Sequence, residues 1–246
     1  MNWRYIVGAG LARATHAALR RAPPVRYVPY GRYWLYDLHR FCGRSLGPIF
    51  DVGANVGQTA RGLVRYFPDD PIYCFEPVES SFEVLQRDYA DRVTAVRSAL
   101  GSVPGTGEMH LHTDSELDTL AAPGDLAASL STGDSVTVPI DTVDGFAARH
   151  GIERIGLLKM DVQGWELEVL RGADRMLGSG AIAAVFSEVA FDTGRPDMQD
   201  FCQLNEHLSL KGFTFCGLYD QFRWGDKKKV HFANALYLRL DREVAS

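Results

Sequence analysis

Two carboxylates follow two apolar runs. "GLLKMD" ends at Asp161 and "AVFSE" ends at Glu188. If those runs are neighbouring strands, both acids point into one cleft. There they could hold one divalent cation through oxygen ligands, Mg²⁺ rather than zinc, or one of them could act as a general base. The plainer alternative is that Asp161 caps the next helix or binds a cofactor, while Glu188 pairs with an arginine. His231, after "WGDKKK" and before the last apolar run, is a further candidate base. His110 and His112 stand two apart, but no third ligand accompanies them, so they read as the polar face of an edge strand. Glu168 and Arg171 have i,i+3 spacing and form a solvated pair, and Glu166, in the first turn of the same helix, either faces its dipole or reaches into the cleft, the dipole role being the plainer reading.

A second constellation is "IFDVGANVGQTA", residues 49–60. A short apolar run stops at Asp51, turns through Gly53, Asn55 and Gly57, and enters a helix past Gln58 and Thr59. Gly53 permits a tight turn close to a ligand. Gly57 lets the next helix pack near the strand. The loop has neither the lysine nor the glycine-rich cradle of a triphosphate site. An acid at the strand end disfavours a pyrophosphate and suits a ligand carrying an amine and a sulfonium. Glu76 ends the next strand, where an acid accepts hydrogen bonds from a ribose. The acid-led glycine loop and the ribose acid together describe S-adenosyl-L-methionine. An earlier stretch, "YIVGAGLARA", imitates a dinucleotide fingerprint but has Arg13 where the last glycine belongs.

The elements that must position these residues alternate. "PIFDVG", "PIYCFEP", "RVTAVRSALG", "IGLLKMD" and "AIAAVFSEV" read as strands. "QTARGLVRYFP", "VESSFEVLQRDYA", "TVDGFAARHG", "GWELEVLRGADRML" and "QDFCQLNEHLSLKG" read as helices. "FTFCGLYD" and "ANALYLRL" read as a closing antiparallel hairpin, and "GEMHLHT" with "DSVTVPID" as a two-stranded insertion. Such alternation implies an α/β fold with a mostly parallel sheet of seven strands and helices on both faces. A terminal hairpin added to it is the layout of the Rossmann-like class I methyltransferase fold. Residues 1–40 are expected to form a helical and aromatic arm, with Tyr27, Tyr30, Tyr33, Trp34 and Tyr36 serving either as a sugar-binding platform or as packing. Residues 41–246 then form the domain.

The chain of 246 residues carries a formal charge of −5. No basic field marks a nucleic-acid partner. No run of about twenty apolar residues marks a membrane span. Four cysteines lack metal or redox spacing, as expected of a reducing, cytoplasmic compartment.

The blocks "FDVGANVGQTA", "CFEPVESSFEVLQ", "VRSALG", "LLKMDVQGWELEVLRGA" and "VFSEV", in this order, resemble the FkbM family of S-adenosylmethionine-dependent O-methyltransferases from about Ile49 to Leu240. The resemblance implies that Asp51, Gly53, Asn55 and Gly57 line the methionine end of the cofactor and that Glu76 holds the ribose. It further implies that Ser98 and Ala99 flank the adenine and that Asp161 faces the reacting centre. Trp165 departs from the small residue more usual there. The expected function is methyl transfer to a hydroxyl of a sugar, glycoside or polyketide-type natural product. The expected partner is a small-molecule hydroxyl acceptor, and a homodimer is a possible assembly. The alternatives are a nicotinamide-dependent oxidoreductase and a cofactor-binding subunit without catalysis.

Overall fold

A computed structural model describes residues 29–113, 115–121, 131–191, 198–223 and 226–240. The fingerprint-like "YIVGAGLARA" and Tyr27 lie outside the described residues, as do Trp224 and Gly225 of the polar turn before His231.

Continuous apolar runs become strands covered on both faces. All four residues of β1 (Ile49–Val52) and all six of β7 (Ile155–Met160) are buried. With β2 (Ile72–Phe75), β3 (Thr94–Val96), β8 (Ile182–Ala190), β9 (Thr214–Phe222) and β10 (Phe232–Leu238) they form one sheet, in the order β3-β2-β1-β7-β8-β10-β9. Neighbours run parallel except that β10 is antiparallel to both β8 and β9. This is the expected seven-stranded sheet with its closing hairpin.

One face is covered by α1 (Trp34–Cys42), α2 (Ala60–Tyr66) and α3 (Glu79–Tyr89), which contribute Leu38, Leu63 and Leu85 to a single apolar cluster. The other face is covered by α4 (Val143–Arg149), α5 (Glu166–Arg171), α6 (Asp174–Gly178) and α7 (Phe201–Leu210), through Phe146, Leu170, Met176 and Leu204. Within the aromatic stretch Tyr30 is exposed, whereas its later members pack. Tyr33, Trp34 and Tyr36 are buried, and Trp34 stacks on Phe186 of β8 with ring centroids 4.0 Å apart. The expected arm boundary at residue 40 falls inside α1.

Three elements differ from their sequence reading. The third strand is cut in two: β3 stays in the main sheet, and β4 (Ala99–Leu100) joins β5 (Gly105–His112) and β6 (Ser131–Asp141) in a separate sheet ordered β4-β6-β5. The insertion is therefore three-stranded. The helix read through "GWELEVLRGADRML" is broken into α5 and α6. At the break, a Cβ on Gly172 would stand 2.0 Å from the Gly101 carbonyl oxygen, and the Gly172 carbonyl accepts from the Asp144 N–H at 2.9 Å. Two backbones meet there, which a helix with side chains could not allow.

Candidate active site

The strand order reverses between β1 and β7, and open α/β sheets bind ligands outside the carboxyl ends at that point. A cavity of about 410 Å³ opens there. Gly53 makes the crevice possible. Its φ is +71°, and a Cβ on it would lie 1.9 Å from the Asp161 carbonyl oxygen. The N–H groups of Gly53 and Ala54 both donate to the Phe75 carbonyl at 3.1 Å, fastening the loop to the end of β2. Asn55 follows with φ +46°, and its N–H donates to Glu76 Oε2 at 2.9 Å.

Glu76 lines the cavity with its carboxylate clamped by two backbone donors, Asn55 N–H and Val78 N–H, the latter at 2.8 Å to Oε1. Burial pushes its pKa up to about 7, against the pull of those two hydrogen bonds. Each oxygen keeps acceptor capacity that a diol would fill.

Asp51 requires a correction. It is fully buried and does not line the cavity. Its register partner on β7 is Lys159, whose Nζ forms an ion pair with Asp51 Oδ1 at 2.9 Å and donates to the Gly53 carbonyl at 3.2 Å. Lys159 itself lines the cavity. Burial opposes its charge, but Asp51 and Asp161 outweigh burial and hold its pKa above the ordinary lysine value. The floor of the cleft thus presents a cation, where the sequence suggests an anion.

Asp161 and Glu188 do meet, and both line the cavity. Gln163 joins them: its Nε2 donates to Asp161 Oδ1 at 3.0 Å and to Glu188 Oε2 at 3.1 Å. Gln163 has φ +51°, and its carbonyl accepts from Thr119 Oγ1 at 2.6 Å. Burial first, then Asp161 and Glu166, raise the Glu188 carboxyl well above the usual glutamate range. Glu166 is 1% exposed; its Oε1 accepts from Val162 N–H at 3.0 Å, so it holds the turn after β7 beyond any dipole role. Burial raises its pKa to about 7. An amide donor occupies the place between Asp161 and Glu188 where a bridging cation would sit. Among the described residues, no group of three His, Cys, Asp or Glu side chains is placed to hold a metal.

A wall of the cavity comes from the insertion. The 3₁₀ turn Ser115–Leu117 lies over the cofactor loop, with Asn55 Nδ2 donating to Ser115 Oγ at 3.1 Å and Gln58 Nε2 to Glu116 Oε1 at 2.9 Å. Leu117, Asp118 and Leu120 line the same space. Sequence reading missed these residues and also Lys159 and Gln163.

Of the other expected site residues, Gly53, Asn55, Gln58, Thr59 and Ala99 line the cavity. Gly57, Ser98 and His231 do not. Gly57 gives way to α3, since a Cβ there would meet Tyr89 Cε2 at 2.5 Å. Ser98 turns its hydroxyl to the carbonyls of Ala99 and Pro139, at 2.8 and 3.2 Å. His231 precedes β10, its backbone tied to Phe222 and Phe191, and Phe232 reaches the cavity in its place. A register shift separates His110 from His112, and His112 is buried against Asp118, Nδ1 to Oδ1 3.8 Å. Trp165 lines the cavity, and the indole has room because residue 101 is glycine: a Cβ there would stand 3.2 Å from Trp165 Nε1.

Seven strands in this order, one reversed beside the edge, with the cavity at the β1/β7 crevice, define a class I, Rossmann-like methyltransferase fold. The chain belongs to the methyltransferase FkbM domain family, which it matches over residues 51–215. Methyltransferase sdnD of Sordaria araneosa is 31% identical over 156 residues, 51% of this chain and 60% of that protein. The 2-O-methyltransferase NoeI of Sinorhizobium fredii is 26% identical over 144 residues, 52% of this chain and 58% of that protein. The 31-O-demethyl-FK506 methyltransferase FkbM of Streptomyces tacrolimicus is 27% identical over 153 residues, 51% and 59%. The chain spans about three-fifths of the length of these curated relatives. Among the described residues no helix is long and apolar enough to cross a membrane.

Proposed function

We propose that the chain is an S-adenosylmethionine-dependent O-methyltransferase acting on a hydroxyl of a sugar, glycoside or polyketide-type compound. One observation carries this reading: a single cavity collects the Gly53 turn, the Glu76 carboxylate and the Asp161–Glu188 pair. Two relatives whose names state O-methyl transfer support the choice of oxygen as acceptor. When bound, S-adenosylmethionine supplies an electrophilic methyl group on a good leaving group. The chain then has to bind it, orient a hydroxyl and take that hydroxyl's proton. Glu76 would hold the ribose diol, and Ala99 would flank the adenine. Glu188 would take the proton, with Gln163 fixing its distance from Asp161. The Gln163 amide between the carboxylates favours a base over a bridging Mg²⁺. Incubation with methyl-labelled S-adenosylmethionine and a panel of sugar, glycoside and polyketide alcohols, with and without EDTA, tests this. Label should reach an acceptor oxygen equally in both. Loss of transfer on chelation would overturn the metal-free route, and transfer only to nitrogen or carbon acceptors would overturn the O-methyl assignment.

Glu76 offers a check on cofactor placement. Glu76→Ala removes charge-assisted hydrogen bonds worth roughly 1.5–3 kcal/mol, about a tenfold to hundredfold loss in affinity for S-adenosylhomocysteine. A ribose donates to the ionised carboxylate, so affinity should be level above the raised pKa of about 7 and fall as pH drops through it. The fall approaches about tenfold for each pH unit below that value. Calorimetry from about pH 8 to pH 6 should show this slope in the parent protein and a flat profile in Glu76→Gln. A flat profile in the parent would place the ribose elsewhere.

A further inference from the structure

We infer that Lys159 is the residue that reads the α-carboxylate at the methionine end of S-adenosylmethionine. The inference rests on the cofactor reading above and deepens it. Lys159 lies on β7 directly across from Asp51 on β1, at the crevice where the strand order reverses. Its side chain is only 6% exposed, yet it lines the cavity. An ammonium has three N–H donors. The Gly53 carbonyl takes one, at 3.2 Å, and Asp51 lies against another, at 2.9 Å. These two fixed contacts hold Nζ under the Gly53 turn, and a donor remains for a ligand in the cavity.

The charge arrangement points the same way. Asp51, fully buried behind Lys159, favours the charged form of that lysine, and the ammonium rather than the carboxylate lines the cavity. Two residues on, Asp161 lines the same cavity and carries the opposite sign. A cation and an anion spaced in this way complement the α-carboxylate and α-ammonium of an amino acid. A charge-assisted hydrogen bond to a carboxylate is among the stronger polar contacts a protein makes.

The test compares two ligands that differ by the carboxylate alone: S-adenosylhomocysteine and its decarboxylated analogue S-adenosyl-3-thiopropylamine. Calorimetry on the parent protein should show the first binding about tenfold to hundredfold more tightly. In Lys159→Met that preference should vanish, with affinity for the decarboxylated ligand unchanged. Removing Lys159 alone leaves Asp51 buried without a counter-ion, which is strongly destabilising. The double variant Asp51→Asn/Lys159→Met removes both charges together and should give the same loss of preference in a folded protein. Equal weakening of both ligands would reduce Lys159 to a structural role and overturn the inference while leaving the cofactor reading intact. An undiminished preference would assign the carboxylate to another group. Failure of the parent protein to bind either ligand would overturn the cofactor reading and this inference together.

Discussion

Glu188→Gln is expected to lose about 10²–10⁴-fold in turnover while S-adenosylhomocysteine binds as before. The division of labour follows from where each acid is anchored. The Asp161 N–H donates to the Val52 carbonyl at 3.1 Å, which ties it to the cofactor turn. Glu188 stands a strand further out, on β8, opposite Asn234 of the reversed strand β10. Phe232 and Met198, which line the same part of the molecule, are apolar and suit the body of an acceptor. Burial, then Asp161, then Glu166 raise the Glu188 carboxyl. A base is most effective when its pKa approaches the working pH. The carboxyl must be ionised to act, so turnover should climb as pH rises through the raised Glu188 pKa, and Glu188→Gln should lose that acid limb. Unchanged turnover in Glu188→Gln would remove it as base. A lost limb with lost cofactor affinity would move it to the cofactor side.

Gly53→Ala is expected to abolish measurable S-adenosylhomocysteine binding, a loss above about hundredfold, and to lower the melting temperature. Two costs coincide. The backbone stands at φ +71°, and the new Cβ would lie 1.9 Å from a carbonyl oxygen that cannot rotate away. Only separation of the β1 and β7 ends relieves it, and that opens the crevice. Gly133→Ala is the control. Gly133 has φ +80° with nothing within 4 Å, so alanine there meets only the left-handed backbone cost of roughly 1–2 kcal/mol, with cofactor affinity kept. Equal cofactor affinity in the two variants would show that the Gly53 turn does not shape the site.

The strand ends were readable because burial on both faces imposes long apolar runs, and their first acids mark the ligand edge. Glu76, Asp161 and Glu188 therefore stand out, and the structure brings all three to one cavity. Asp51 misleads for a physical reason. Its charge is cancelled by Lys159, and a lysine inside "LLKM" looks like an interruption until β1 and β7 are known to be neighbours in that register. Gln163 is invisible for a similar reason, since its role depends on a backbone at φ +51° and on two carboxylates from different strands. The insertion wall could not be read at all. Ser115 meets Asn55 across 60 residues of sequence through a polar loop without periodicity. The break between α5 and α6 sits where Gly172 packs against the Gly101 carbonyl, a close backbone approach that local pattern does not encode.

Titration calorimetry of the purified protein with S-adenosylhomocysteine and, separately, with NAD tests the central assignment most directly. The cavity between Glu76, Lys159 and Asp161 is expected to bind S-adenosylhomocysteine at one site per chain with micromolar affinity and to show no heat with NAD. Binding of NAD, with none of S-adenosylhomocysteine, would contradict it.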